Sequence, residues 1–330
     1  MNLVKLLARP ITLAVLTGAS MIAASPIVLA QTDVYPSKPI TVVVGYPPGG
    51  STDLTGRVVA AELAKILGVT VVVENVGGAG GTIGAQKVAS AAPDGYTLLV
   101  GANNEVAISR LVSPSVKYTL NDFTPIGLIA SQPLVLVASQ KTGVKTVDQF
   151  MTLVRANPGK FSYGSSGVGT SLHLAGEMVK EQSGLFMTHI PYRGVAPLAN
   201  DLLGNNIEFG VFVLSSGLPH IRSGRLVALG TTEKKRSAVT PDIPALAETP
   251  RLKDTDIGSW FVLMAPKGLP EPIATRLKKA LADALQSPDL RKKLEDSGST
   301  ISALNVDMPK FLREETAKYQ KIVDFAKIRE

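Results

Sequence analysis

Short apolar runs alternate along the chain with longer stretches of helical spacing. ITVVV (Ile40–Val44) reads as a buried strand, and residues 54–67 repeat apolar positions at helical intervals. VTVVVEN follows, then a glycine-rich turn, an amphipathic stretch through Ala91, and the apolar run YTLLVG. This βαβαβ order predicts parallel strands with helices on the sheet faces. A second series begins after Phe123: PIGLIA and LVLVAS as strands, a helix over 146–156, FSYGSSG as a strand entering a turn, and a helix over 172–183. MTHIPY, a helix over 196–203, IEFGVFVL and LVALGTT continue it, and WFVLMAP with helices over 272–285 and 309–328 finishes the chain. No repeat and no Gly/Ser/Pro linker separates the two series, which predicts two lobes joined by crossing strands.

Ahead of this alternation lies a different pattern. Lys5 and Arg9 precede an apolar stretch over 11–29, and Val28-Leu29-Ala30 places modest side chains at a cleavage position. This predicts a secretory signal over 1–30, a mature chain beginning at Gln31, and location in the periplasm. Ser20, Ser25 and Pro26 interrupt the run and argue against an uncleaved anchor. The roughly 300 residues that remain suggest two units of about 150 each.

Composition narrows the chemistry. The chain has no cysteine, which excludes thiol catalysis, iron–sulfur ligation and cysteine zinc sites. Its formal charge of +7 falls to about +5 without Lys5 and Arg9, and no basic block interleaved with aromatics points to nucleic acid. His173, His189 and His220 lack metal-ligand spacing and read as structural.

Three turns share one grammar: GYPPGGSTD (45–53), ENVGGAGGTIG (74–84) and YGSSGVGTS (163–171). Each follows a strand and opens a helix, which places it at the carboxyl edge of a sheet, where such folds bind ligands. Helix N-termini there offer unpaired N–H groups and a positive dipole end, and glycine permits close approach. The pattern predicts an anion site, with Ser51, Thr82, Thr170 and Ser171 either capping their helices or also donating to ligand. Gly78, Gly80 and Gly84 form GxGxxxG, which misses the dinucleotide fingerprint because Ile83 stands where its last glycine belongs. No phosphate-loop lysine follows, and Ser165 and Ser166 do not sit in GxSxG. No cofactor and no catalytic set are therefore expected.

The chain resembles the Bug-type (TctC-like) extracytoplasmic solute receptors of tripartite tricarboxylate transporters. The resemblance is carried by YPSKPITVVVGYPPGGSTDLTGR, VVVENVGGAGGTIGAQKVASAAPDGYTLLVG, LVLVAS, NPGKFSYGSSGVGTSLHLAGE, HIPYRG, PHIRSGRLVALGTT and SWFVLMAPKGLPEPI, in the family's order. It implies a periplasmic binding protein type II-like fold of two α/β lobes, with 31–130 and 229–330 as lobe one and 131–228 as lobe two. The lobes would close on a small organic acid and pass it, as a monomer, to large and small membrane subunits of a secondary transporter. By resemblance, Pro48, Gly49, Ser51, Thr52, Gly80 and Thr82 of lobe one and Ser165, Ser166, Gly169 and Thr170 of lobe two grip one carboxylate.

Tyr46, Gly50, Gly81 and His173, as members or neighbours of the same turns, and Asn103, just after the run YTLLVG, complete the candidate ligand-binding set. Asp53 either complements its helix dipole or contacts the solute, and Arg193, in PYRG, is a candidate partner for a distal carboxylate. The family often has an acidic and a polar residue where this chain has Val213 and Leu214; an apolar wall there suits an aliphatic or aromatic acid. Trp260, the single tryptophan, is expected near the crossing strands as a reporter of closure. A sensor feeding a signalling partner and an exported hydrolase or lyase are the alternative readings.

Overall fold

The computed structural model describes residues 35–328; the signal segment and its cleavage point lie outside the described residues. In chain order the elements are β1 (Ile40–Val44), α1 (Ser51–Leu67), β2 (Val71–Asn75), α2 (Thr82–Ala89), β3 (Thr97–Ala102) and a π-helical turn (Asn104–Ile108) that runs into α3 (Ser109–Val112). β4 (Phe123–Ser139), α4 (Val147–Ala156), β5 (Ser162–Ser165), α5 (Ser171–Ser183), β6 (Thr188–Pro191), α6 (Val195–Leu203) and β7 (Phe209–Val213) follow. α7 (Leu214–Arg222), β8 (Leu226–Thr231), β9 (Gly258–Pro266), α8 (Glu271–Ala284), α9 (Pro288–Asp296), β10 (Thr300–Ile301) and α10 (Met308–Ala326) complete the chain.

Buried valine, isoleucine and leucine runs make the strands central: Ile40, Val42, Val43 and Val44 are fully shielded, each worth about 1.5–3 kcal/mol of burial. β1 lies parallel to β2 and β3, as the βαβαβ pattern predicts. The sheet path runs β2-β1-β3-β9-β4-β7-β5-β6, with β8 and β10 also on β4. β9 is antiparallel to both β3 and β4.

β4 is one strand of 17 residues where the sequence suggested two. Its first part, through Pro133, pairs with β9, and from Leu134 it pairs with β7 and β8. Pro133, which has no N–H to give a ladder, sits at the handover, so the apparent break in the sequence marks a change of partner. The return passes beside it: Thr232 N–H donates to Leu134 O at 2.9 Å and Ile257 N–H to Thr232 O at 3.0 Å. Each half of the sheet with its helices is one α/β lobe, and β4 belongs to both. α10 packs against the π turn in one lobe and α5 in the other.

Three helices escaped the sequence pattern, α3 because it is a single turn of four residues. α7 contains Gly217 and Pro219, which disguise helical spacing, and α9 is short and strongly charged. Trp260 is 3% exposed, donates through Nε1 to Glu315 Oε2 at 2.8 Å, and meets Phe311 edge-on. It is opposite Ser131 in the β4–β9 ladder, near the handover, yet packs under α10. Burial there removes the change in solvent access expected of it.

Candidate functional site

Asp53 shapes the turn between β1 and α1. Its carboxylate accepts the Gly49 N–H at 2.9 Å, Arg57 Nε at 3.0 Å and Asn75 Nδ2 at 2.8 Å. Gly49 takes φ +93°, in the region that favours glycine. Burial raises the Asp53 pKa, but the bonds from Arg57, Gly49 and Asn75 outweigh it and hold the carboxyl below its ordinary value. The residue supports the turn from beneath and lines no cavity.

α1 then begins at Gly50 with no side-chain cap, and α6 begins likewise at Gly194. The two N-termini come together: a Cβ added to Gly50 would lie 3.9 Å from Val195 Cγ2. Both open on one cavity of about 340 Å³. Each helix start carries unpaired N–H groups and roughly half a positive charge, so together they form a ready anion site. Leu172, Pro197, Ala199, Phe212 and Val213 supply its apolar wall, while Ser166, Asn200, Ser216 and His220 supply polar groups. The Ser216 hydroxyl is buried without a partner. Leu214 faces away, against Gly298, so Val213 is the one of that pair that reaches the cavity.

A second compartment of about 670 Å³ lies between the GAGG turn and the turn before α5. Gly80, Gly81, Thr82 and Gly169 line it, whereas Pro48, Gly49, Gly50, Ser51 and Thr52 line the first. Tyr46, Ser166 and Arg193 border both. The single carboxylate grip implied by resemblance is thus spread over two adjoining spaces. Neither is lined by an aspartate or glutamate, and Arg193 has no salt bridge among the described residues.

Three candidates from the third turn serve that turn itself. Thr170 caps α5, accepting the His173 N–H at 3.3 Å and donating to Gly167 O at 2.9 Å. His173 Nδ1 accepts the Gly169 N–H at 3.1 Å, and its ring stacks on His189 at 3.8 Å. Ser165 Oγ is 2.7 Å from His189 Nε2 and also bonds Gly167 O at 3.0 Å. Ser165, Thr170 and His173 line neither compartment. The Ser165–His189 pair, which spacing could not foresee, has the distance of a nucleophile and base, but its serine is fully buried and its histidine stacks on another histidine. Burial lowers the pKa of His173 to about 4 and that of His189 to about 3, so both are neutral near pH 7.

Asn103 lines neither compartment. It is fully buried, donating to Tyr319 Oη at 2.8 Å and Gly258 O at 3.0 Å. Its neighbour Asn104 lines the first cavity, accepts the Ser171 N–H at 2.7 Å and donates to Tyr46 Oη at 2.9 Å. Asn104 starts the π turn, a geometry common at functional sites, and the polar run NNE at the carboxyl end of β3 was its only signal. Behind it Glu105 is 1% exposed, and burial raises its pKa to about 7. The start of α6 was read to within one residue, at Ala196 against Val195, but its place on this cavity was not foreseen.

Among the described residues no helix is long and apolar enough to cross a membrane, and no acidic or histidine cluster could hold a metal. Residues 55–328 match the model of the tripartite tricarboxylate transporter family receptor. Protein BugT of Bordetella pertussis is 35% identical over 294 residues, covering 88% of this chain and 90% of its own. The structure of R. palustris Rpa4515 with adipate aligns with TM-score 0.85 and 31% identity over 89% of this chain and 99% of the other. MatC of Rhodopseudomonas palustris with bound malate aligns with TM-score 0.81 and 30% identity over 88% and 100%. With two lobes around a cleft and a match over most of its length, the chain belongs to the receptor family of tripartite tricarboxylate transporters.

Proposed function

We propose that this protein is an extracytoplasmic binding protein, not an enzyme, that takes a small organic carboxylate into the cleft and delivers it to the large and small membrane subunits of a tripartite transporter. The observation that carries this reading is the pairing of two uncapped helix N-termini on one cavity whose lining holds no carboxylate and includes Arg193. Such a site favours an anion through neutral donors and one guanidinium. The apolar wall around Phe212 and Val213 suits the methylene chain of an aliphatic acid. Rpa4515 with adipate and MatC with malate support the class of ligand. We read 131–228 as the lobe that closes on the remainder.

Calorimetry and thermal-shift measurements across mono- and dicarboxylates, beginning with adipate and malate, test this reading. A ligand at about 100 times its Kd should stabilise the fold by roughly 2.7 kcal/mol, and its amide should lose most of that effect. Equal protection by acid and amide would overturn the anion site.

A further inference from the structure

Behind the cleft wall, the protons around Tyr46 can be counted. Tyr46 Oη lies 2.8 Å from Gly80 O and 2.8 Å from Glu105 Oε2, and it accepts from Asn104 Nδ2 at 2.9 Å. A phenol has one proton to give, and the Gly80 carbonyl and a carboxylate are both acceptors only. One short contact would then face oxygen to oxygen with no hydrogen between. The other oxygen of Glu105 accepts the Ala102 N–H at 2.6 Å, so it is occupied. The inventory closes only when Oε2 carries a proton. Glu105 then donates to Tyr46, Tyr46 donates to Gly80 O, and every atom has a partner.

The network reaches across the cleft. Asn104, held by Tyr46, accepts the Ser171 N–H at the start of α5 in the opposite lobe, at 2.7 Å. It also supports the GAGG turn, because a Cβ on Gly81 would fall 2.8 Å from Glu105 Oε2. We propose that Glu105 holds a proton in the closed protein and acts as a positioning residue, completing a hydrogen-bonded latch from the GAGG turn through Tyr46 and Asn104 to Ser171. Losing the proton turns the Tyr46 hydroxyl toward the carboxylate, strands Gly80 O, and loosens the wall that Asn104 joins to α5.

The surroundings favour a neutral group. The titratable groups facing Glu105 are the phenols of Tyr46 and of Tyr118, which donates to the Glu105 carbonyl at 2.6 Å. Charged side chains on the surrounding elements are engaged elsewhere: Arg110 of α3 with Val116 O, Lys87 of α2 with Glu74, and Lys318 of α10 with Asp256 and Glu315. On α5, His173 is bonded to Gly169 and Lys180 to Glu177. Among the described residues no cation offsets a charge on the carboxyl, and burial raises its titration to about 7. The closed form should therefore weaken as pH rises through neutrality.

This inference rests on the cleft being the solute site, but its test needs no solute, so the two readings fail separately. Infrared difference spectra of the ligand-free mature protein, between about pH 6 and about pH 9, should show loss of a protonated-carboxyl band that is absent from Glu105→Gln. Solution scattering over the same range should show the radius of gyration rising in the wild type and flat in Glu105→Gln, whose amide reproduces both hydrogen bonds. Asn104→Ala should hold the larger radius throughout. Should Glu105→Gln fail to fold, Tyr46→Phe replaces it and is expected to keep the larger radius at every pH. A Glu105 carboxylate at pH 6, or pH profiles that these substitutions leave unchanged, overturns the latch.

Discussion

The starts of α1 and α5 are built from nearly the same words, GGST and VGTS, yet they use their donors in opposite ways. At α1 the cap position is Gly50, no side chain reaches back, and the first N–H groups open on the cavity. At α5 Thr170 accepts the His173 N–H and Asn104 takes the Ser171 N–H, so two of its first N–H groups are engaged by the protein itself. One N-terminus is therefore poised for an anion and the other is used to position the loop opposite it. What separates them is a neighbour: Asn104 arrives from the π turn after β3, and nothing equivalent arrives at α1. Capping residues in sequence mark where helices begin, and only their surroundings decide which beginnings remain available to a ligand.

The largest effect should come from making α1 resemble a capped helix. Gly50 has φ −85° and ψ 173°, which any residue adopts, and a Cβ there meets only Val195 at 3.9 Å. Gly50→Asp would supply its own cap and set a negative charge in the anion site. Binding of adipate or malate, whichever the wild type takes, should fall by more than about 100-fold in calorimetry, since like charges in contact cost several kcal/mol. The melting temperature should hold or rise slightly, because aspartate caps better than glycine by a few tenths of a kcal/mol. Retained affinity would mean that the anion lies away from α1.

Acid should attack the α5 side of the comparison. His173 titrates at about 4 and His189 at about 3, both below the ordinary 6.5, so the unfolded chain binds protons that the native one refuses. Stability should be intact above about pH 6.5 and decline as pH falls toward about 3, by a total of several kcal/mol. Urea unfolding at several pH values measures this, and His189→Gln should flatten the slope. A slope unchanged by the substitution would detach the stacked pair from the acid response.

The hydroxyls give a paired contrast. Ser51→Ala removes a cavity-lining side chain with no hydrogen-bond partner among the described residues, so affinity should drop about ten- to hundredfold with little change in melting temperature. Thr170→Val removes the α5 cap, so stability should fall by about 1 kcal/mol, with affinity following only as the loop relaxes. A matching pattern in the two variants would dissolve the distinction between the helix starts. The smallest effect concerns Trp260: buried under α10 and bonded to Glu315, it should show little shift in emission when ligand closes the cleft. A large saturable shift would show that α10 moves with closure.

Much of the fold was legible because strands buried on both faces leave continuous apolar runs, and β1, β3 and β9 are runs of that kind. β4 was legible in content but not in length, since Pro133 looks like a terminus and is a change of partner. α7 was hidden by Gly217 and Pro219 inside the helix. In the cleft, the turns at 45–53 and 74–84 were found through their glycines, while Asn104 and Glu105 had only the polar run NNE after β3 as a signal and Ser216 had none. Asn103 and Asn104 are adjacent and chemically identical; the π turn sends one toward Tyr319 and the other toward Tyr46.

The chain alone, through the order of its apolar and amphipathic segments and its turn residues, determined the α/β class, the glycine turns at the sheet edge and a hydroxyl-rich site suited to an anion. Whether a donor faces solute or the protein was decided only by tertiary structure. That choice depends on which groups from distant segments arrive within about 3 Å, as Asn104 does at Ser171 and Asn75 at Asp53, and as no described side chain does at Gly50. Hydrogen bonds are short-ranged and directional, so patterns of residue type cannot assign partners that lie far apart in the chain and meet only when it folds.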